Sequence, residues 1–539
     1  MRHLVREHWS LGVGILIWMA ILAVLTSKML ASTGGRVVYG LDDAYIHLAI
    51  AKHLVQNGVW GVTPYAFSAS SSSVVWPLIL AGAFRLFGMN EAIPFLINVL
   101  LSFVFIVLLY QWARPLVGSS WGTLVLLLGF LLLVPVPTLV FNGMETLLQV
   151  LVSFALFARV VEHVGRPQQS DRILLPALGA GLAAIRYEGL FIILIACALL
   201  LVRKEYLLAI SMASAGALPV AVLGIVSMGQ GWSFLPNSIM VKHSPLSFSD
   251  WPSILALVMR PFGTIADTFV QAVPRWAGLE VGVLFLGLFL MRSRRHRRLW
   301  DESVAALALF VGVALIHSLL ISEEWFYRYG AYLDVLGLTA LAYEAKALVA
   351  EDFEIAKSWR PMLLPGVLVG VLLGFPLAKA SVEALLDTPL ASRNIYDQQQ
   401  QMALFLKEHY SGQAVAANDI GAIDFYSNLH LMDLFGLASR EVALDKLDGQ
   451  WNSKAIAAIS DRGGTVIAVV FDSWFVSTGL PPSWIKVAEW TIEDNVVCGS
   501  DTVSWYGVGR GNAEALASNL RNFEPQLPRQ VAVRNLSGY

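Results

Sequence analysis

VVWPLILAGAFRLFG, residues 74–88, is the stretch on which the fold turns. It is apolar enough for a bilayer, yet as a helix it reaches only about 22 Å, against about 30 Å of hydrocarbon. It also carries Pro77 and Arg85. If it crosses the membrane, every later loop changes side and the basic cluster RSRRHRR at 292–298 lies outside. If it lies flat in the outer interface, Arg114, Arg159, Arg166, Arg172, Arg203, Lys204, that cluster, Lys346, Lys357 and Arg360 fall inside with Arg2 and Arg6. The second arrangement puts 16 Lys and Arg inside, against nine elsewhere in residues 1–378. Cytoplasmic loops carry the excess of Lys and Arg, so the interfacial arrangement is selected.

Apolar runs on either side of it are read as eleven spans, at 1–30, 91–112, 120–137, 145–161, 173–185, 188–202, 206–228, 277–291, 303–321, 330–348 and 361–378. The 173–185 run is the shortest of these and makes a helix of only about 20 Å. Of the 539 residues, 56% are hydrophobic and 14% charged, with a mean hydropathy of +0.64. Soluble domains hold about 25% charged residues, so a freely soluble enzyme is excluded. The N-terminal run is longer than the apolar core of a cleaved signal peptide and is followed by many further spans, which makes it a retained helix. The expectation is a multi-pass protein of a bacterial-type inner (plasma) membrane, its N-terminus cytoplasmic. Three outer loops, at about 31–90, 138–144 and 229–276, and the whole tail then share the outer face.

The tail, 381–539, is a different material. Alternating runs such as QAVAAND and GTVIAVVF read as strands, with a helix near 397–409 before them. The fold class is therefore a polytopic α-helical membrane domain, 1–380, followed by a small periplasmic or extracellular α/β domain, 381–539. Net charge is −2, so no basic footprint for nucleic acid exists. The two cysteines, Cys197 and Cys498, sit in unlike settings and do not suggest a bridge.

In so apolar a chain the few charges near the outer face stand out. The first group is GLDDAYIHLAIAKHLVQNG at 40–58. Asp42 and Asp43 either cap a helix and favour its first turn, or supply a general base or metal-binding acid just outside the bilayer. His47, one turn on from Asp43, either tunes that carboxylate or faces the interface. The second is FNGMETLL at 141–148, where Asn142 and Glu145 match a capping box, or Glu145 meets the acidic pair across a cleft. The third is AAIRYEGL at 183–190, where Arg186 and Glu188 pair with each other or Arg186 binds a phosphate. The fourth is GWSFLPNSIMVKHS at 231–244, with Asn237, Lys242 and His243. The fifth is SEEWFYRYGAYLD at 322–334, in which Arg328 and Tyr329 follow Glu323 and Glu324. Guanidinium matches phosphate in a bidentate manner, so Arg328 is a ligand candidate. Walker, HExxH and GxGxxG motifs are lacking. With no nucleotide sugar outside a bacterial membrane, a transferase acting there needs a lipid-linked donor.

The order of these elements, with RY before a late span and NDIGAIDFYS…MDLFGL (418–437) in the tail, resembles the GT-C superfamily of integral-membrane glycosyltransferases. Within it the likeness is to the arabinofuranosyltransferase and mannosyltransferase-like branch that uses polyprenyl-phosphate sugars. It extends over nearly the whole chain, on motifs that are short but specific in combination. The resemblance implies interfacial helices in the first outer loop, a catalytic base at Asp42 or Asp43, and a second acidic position at Glu145. It implies a donor phosphate bound by Arg186, Lys242 or Arg328, in a site shared with Glu188, Asn237, His243 and Tyr329. Some members hold a divalent cation on an acidic-x-acidic element in the second loop; this chain has Glu145 alone there, which leaves a metal requirement open.

The chemistry that follows is a single displacement with inversion. An acceptor hydroxyl of a cell-envelope glycan, lipid or protein loses its proton to the base and attacks the anomeric carbon, and the polyprenyl phosphate leaves. By its placement the tail is expected to bind the acceptor. Two other readings compete: a transporter or flippase of lipid-linked sugars, and a noncatalytic glycan-binding membrane protein. A flippase needs polar groups through the midplane or inverted repeats, whereas the charges here gather at one face.

Overall fold

The computed structural model describes residues 2–241, 301–321, 325–350 and 360–536. The expected span at 277–291, the 292–298 cluster and the candidates Lys242, His243, Glu323 and Glu324 lie outside the described residues. The chain is a bundle of apolar helices with a small α/β unit seated on one end. In order, the first helices are α1 (Arg2–Ser32), α2 (Asp43–Asn57), α3 (Val75–Phe87), α4 (Ile93–Val117), α5 (Ser120–Leu133), α6 (Val136–Phe141), α7 (Thr146–Gly165), α8 (Asp171–Ile185), α9 (Gly189–Val202), α10 (Tyr206–Gly229) and α11 (Asn237–Met240). Helices Glu302–Leu320, Ala331–Ala350 and Arg360–Ile395 follow. Among the described residues five helices are long and apolar enough to cross a membrane: His8–Ser32, α4, α7, α10 and Glu302–Leu320.

The breaks between helices have local causes. Gly118 ends α4 in a left-handed conformation, its N–H bonding Arg114, and Ser119 caps α5 by accepting from Gly122 N. Asp301 caps the next described bundle helix by accepting from the N–H groups of Ser303 and Val304. The helix over 75–87 is short, as its length requires. It buries Trp76, Leu80 and Phe84 while Leu78, Leu86 and Phe87 face outward, and it packs on α2. The residues Leu16, Leu96, Leu194, Leu207 and Ile225 point out from the bundle, apolar and exposed.

The helix Arg360–Ile395 crosses position 381 unbroken and leads through a π-helical turn, Tyr396–Gln400, into Gln401–His409. The tail then builds one six-stranded sheet in the order β2-β1-β3-β5-β4-β6. These strands are β1 (Ala414–Ala417), β2 (His430–Asp433), β3 (Ile467–Val470), β4 (Trp484–Thr491), β5 (Thr502–Val508) and β6 (Ala532–Asn535). β1 runs parallel to β2 and β3, and the remaining pairs are antiparallel. Both expected strands, at QAVAAND and GTVIAVVF, are present as β1 and β3. β3 is buried at all four positions, as a central strand covered on both faces must be. One continuous apolar cluster joins Tyr45, Leu48 and Trp76 of α2 and α3 to Phe405, Ile423, Trp490 and Trp505 of the tail. The tail and these two short helices thus share a core.

Candidate active site

The site lies where α2, the start of α7, the α8–α9 turn and the residues after Trp325 meet. Glu145 immediately precedes α7, at the end of the turn Asn142–Glu145. Gly143 makes that turn: its φ is +68°, and a Cβ there would come within 2.4 Å of the Tyr39 ring. The capping box expected for Asn142 and Glu145 is not formed. Glu145 itself occupies the N-cap position without capping the helix through its side chain, and Asn142 donates to Phe326 O at 3.4 Å. Asn142 instead ends α6 in a right-handed helical conformation, and Glu145 has a stronger partner in a guanidinium.

That partner is Arg186. Its guanidinium donates to Glu145 Oε1 at 3.0 Å and to Glu188 Oε1 at 2.6 Å, with Nε on both Glu188 oxygens at 3.1–3.2 Å. Burial works against the Arg186 cation, and Glu188 and then Glu145 more than offset this, raising its pKa. His47 is buried, not turned to the interface. Its Nε2 is 3.4 Å from Glu145 Oε2, and Nδ1 is 3.3 Å from Ser71 Oγ. Burial lowers the His47 pKa below its ordinary value; Glu145 and Asp43 oppose this, and Arg186 and Arg328 add to it. A lowered imidazole is neutral at pH 7, so its contact with Glu145 is not an ion pair there.

Asp43 points the other way, to Arg328, with 2.5 Å between Oδ2 and a terminal guanidinium nitrogen. Arg328 also donates to the Tyr329 hydroxyl at 2.8 Å and to Met144 Sδ at 3.1 Å, and its carbon lies 4.6 Å from the Tyr329 ring centre. Its Nε has no protein partner although it is buried. Phe326 and Tyr327, just before it, both hold left-handed conformations, with φ of 45° and 60°. Such non-glycine residues cost on the order of 1–3 kcal/mol each, a strain typical of sites where a side chain must be aimed. The Asp43 side chain is 27% exposed and that of Glu145 fully buried, so Asp43 is the carboxylate that a reactant can reach.

Asp43, Glu145, Arg186, Glu188, Arg328 and Tyr329 therefore form one cluster. Two other candidates are elsewhere. Asp42 stands at the N-cap position of α2 but makes no cap bond; its Oδ2 accepts from Gly421 N at 2.6 Å and its Oδ1 from Ala422 N at 2.8 Å. Asn237 donates to Gly436 O at 2.8 Å. Both thus face the tail. Sequence reasoning missed Met144, Ser71 and the amides of Gly421 and Ala422. Ser71 had a signal, the serine-rich run at 68–73 in a loop between helices; backbone amides leave none. Among the described residues no three His, Cys, Asp or Glu side chains are grouped to hold a metal ion.

No curated protein matches the chain. A family model described as a domain of unknown function (DUF8728) matches residues 393–506, within the tail. The structure is similar to ArnT from Cupriavidus metallidurans bound to undecaprenyl phosphate, at 13% identity and a TM-score of 0.50, over 92% of this chain and 98% of that one. The same protein in its apo state aligns over the same shares at 14% identity, again with a TM-score of 0.50. Archaeal oligosaccharyltransferase AglB from Archaeoglobus fulgidus, in complex with an inhibitory peptide and a dolichol-phosphate, aligns at 10% identity and a TM-score of 0.43, over 98% of this chain and 76% of that one. At these identities the likeness is one of fold. The chain has a GT-C-like architecture, an apolar helical bundle with a small C-terminal α/β region.

Proposed function

We propose that the protein is a membrane glycosyltransferase that moves a sugar from a polyprenyl-phosphate donor to an acceptor hydroxyl, with Asp43 as general base and Arg328 as phosphate ligand. The observation that carries this reading is the Asp43–Arg328 pair. A partly exposed carboxylate and a guanidinium with an unused, buried Nε stand together at the meeting point of the loops. The fold shared with a chain bound to undecaprenyl phosphate supports a lipid-linked donor.

Charge explains why the two belong together. In the displacement the acceptor hydroxyl gives its proton to Asp43, and its oxygen attacks the anomeric carbon. The bond from that carbon to the phosphate oxygen breaks, and the lipid phosphate leaves with the electron pair and one more negative charge. Asp43 thus loses its charge as the phosphate gains one. A guanidinium lying between them can shift its bonding from carboxylate to phosphate without moving. Arg186, paired with Glu145 and Glu188 on all three of its nitrogens, holds those carboxylates in place and is the less available cation for the donor lipid.

The reading places the site and the tail, 381–539, on the outer face of a bacterial-type inner membrane. The test uses the purified full chain with undecaprenyl-phosphate pentoses and hexoses, and a membrane lipid and glycan extract as acceptor. Asp43→Asn is expected to reduce transfer about 100- to 10,000-fold, the range for a general base, with undecaprenyl phosphate still bound. Transfer at the parent rate in Asp43→Asn would sink the assignment of the base. Movement of the intact donor across vesicles without transfer would favour a flippase.

A further inference from the structure

We infer that the tail domain is part of the reaction centre, and that Asp42 is a positioning residue through which Gly421 and Ala422 set the neighbouring Asp43 against Arg328. This rests on the reading of Asp43 as the base. The geometry is a two-sided clamp on the first residues of α2. Asp42 and Asp43 are consecutive, and their side chains leave the backbone in opposite senses. One carboxylate spans two successive tail amides at 2.6 and 2.8 Å, and the other meets Arg328 at 2.5 Å. Rotating or sliding the start of α2 to improve one contact breaks the other.

Three further observations show that the clamp is built rather than incidental. First, Gly421 has no room for a side chain: a Cβ would sit 2.1 Å from Asp42 O and 2.8 Å from its Oδ2. The tail backbone therefore approaches α2 as closely as a glycine permits. Second, Asp42 is buried at 8% exposure. A buried carboxyl group needs hydrogen-bond partners, and the two tail amides supply one to each of its oxygens. Third, the same tail stretch grips the membrane part twice more. Lys52 of α2 donates to Phe425 O at 2.9 Å, and Asn237 donates to Gly436 O at 2.8 Å. The rings of Phe425 and Tyr426 lie 6.0 and 5.8 Å from that of Tyr45, on the turn of α2 that follows Asp43. All of these tail contacts fall within 421–436, inside the NDIGAIDFYS…MDLFGL stretch whose role the membrane chemistry alone leaves unassigned. Asp42 does not reach the reactants; it acts by holding Asp43.

The test compares Gly421→Ala, Asp42→Ala and Asp42→Asn in the full chain reconstituted in lipid nanodiscs, with undecaprenyl phosphate as the binding probe. Hydrogen exchange at residues 40–50 is expected to quicken tenfold or more in Gly421→Ala and Asp42→Ala. Exchange in β3 and β5, and the stoichiometry of bound undecaprenyl phosphate, stay at parent values. Asp42→Asn, which keeps one acceptor oxygen, falls between them and the parent. Turnover drops at least tenfold in the two disruptive variants, with the KM for donor within twofold, because the base is misplaced and the phosphate ligand is not. Exchange at 40–50 within twofold of the parent in both would overturn the clamp. A fall in turnover matched by an equal fall in bound undecaprenyl phosphate would also overturn it, since that is loss of folded protein. If instead the exchange result holds while Asp43→Asn keeps full turnover, the clamp stands and the assignment of the base fails.

Discussion

Arg328 shows how much of the site depends on one side chain. It touches Asp43, Tyr329 and Met144 and still has Nε unused, and two left-handed residues before it fix its direction. A lysine offers a compact charge in place of a planar fork and loses the bidentate, coplanar donors that suit a carboxylate and a phosphate side by side. Arg328→Lys is therefore expected to weaken undecaprenyl phosphate binding about 10- to 100-fold, the equivalent of one or two charge-assisted hydrogen bonds. Titration by native mass spectrometry reads this directly; unchanged affinity would remove Arg328 as the phosphate ligand. Gly143 makes a second case, one of backbone rather than charge. An alanine at its φ of +68° costs about 1–2 kcal/mol before the Tyr39 ring is displaced. Gly143→Ala should lower the thermal unfolding temperature and, by moving Glu145, loosen Arg186. Unaltered thermal stability would show that the turn has more freedom than its geometry implies.

At the scale of elements, the contact that holds the start of α2 is expected to respond to pH. Burial, and then the neighbouring Asp419 carboxylate, push Asp42 well above the usual carboxylate range, while the amides of Ala422 and Gly421 pull it down by less. Cys498 and Asp397 face the same cluster, the thiol raised first by burial and then by Asp419. A carboxyl group with a raised folded-state pKa binds its proton more tightly when folded. Its contribution to stability is therefore full below the ordinary value near 3.8 and is lost as pH rises towards the folded value. Exchange at residues 40–50 should accordingly quicken, beyond its intrinsic base catalysis, as pH is raised above the ordinary carboxylate value near 3.8. Asp42→Asn should remove that excess, because an amide does not titrate. An excess that persists in Asp42→Asn would assign the response to another group. None of this was visible in the acidic pair itself. A helix cap satisfies a local pattern, whereas the actual partner of Asp42 lies 379 residues away.

For the whole molecule, legibility in the sequence follows the range of the interaction. Apolar length belongs to each segment alone, so helices at 91–112, 145–161, 206–228 and 303–321 are found close to their expected places, and 74–88 is short and amphipathic as its charges and length require. Charges are rare in such a chain, so Asp43, Glu145, Arg186 and Arg328 could be singled out; which of them pair could not, since pairing is made by packing. The same distinction explains why the tail reads as a separate domain from its composition, although its core continues into α2 and α3. The remaining step is sidedness. Glu145 and Arg186 meet at one end of α7 and α8, while at the other end Arg159 and His163 bond Asp171, and His163 also bonds Glu205. Arg166, Arg172, Arg203 and Lys204 cluster near that second end, so the bundle has a basic end opposite the site. A membrane sorts basic ends to the cytoplasm, so the proposed reading has the site and the tail outside. Val476, 86% exposed in the tail, and Arg166, exposed after α7, report on the two ends. Cys197 and Cys498 are buried and add little background to thiol labelling. In spheroplasts a membrane-impermeant maleimide should label Val476→Cys at once and Arg166→Cys only after permeabilisation. The reverse order would turn the protein over and put the proposed chemistry on the nucleotide-sugar side. Labelling of both from outside would mean an odd number of crossings has been miscounted between them, which the helices after residue 241 would have to supply.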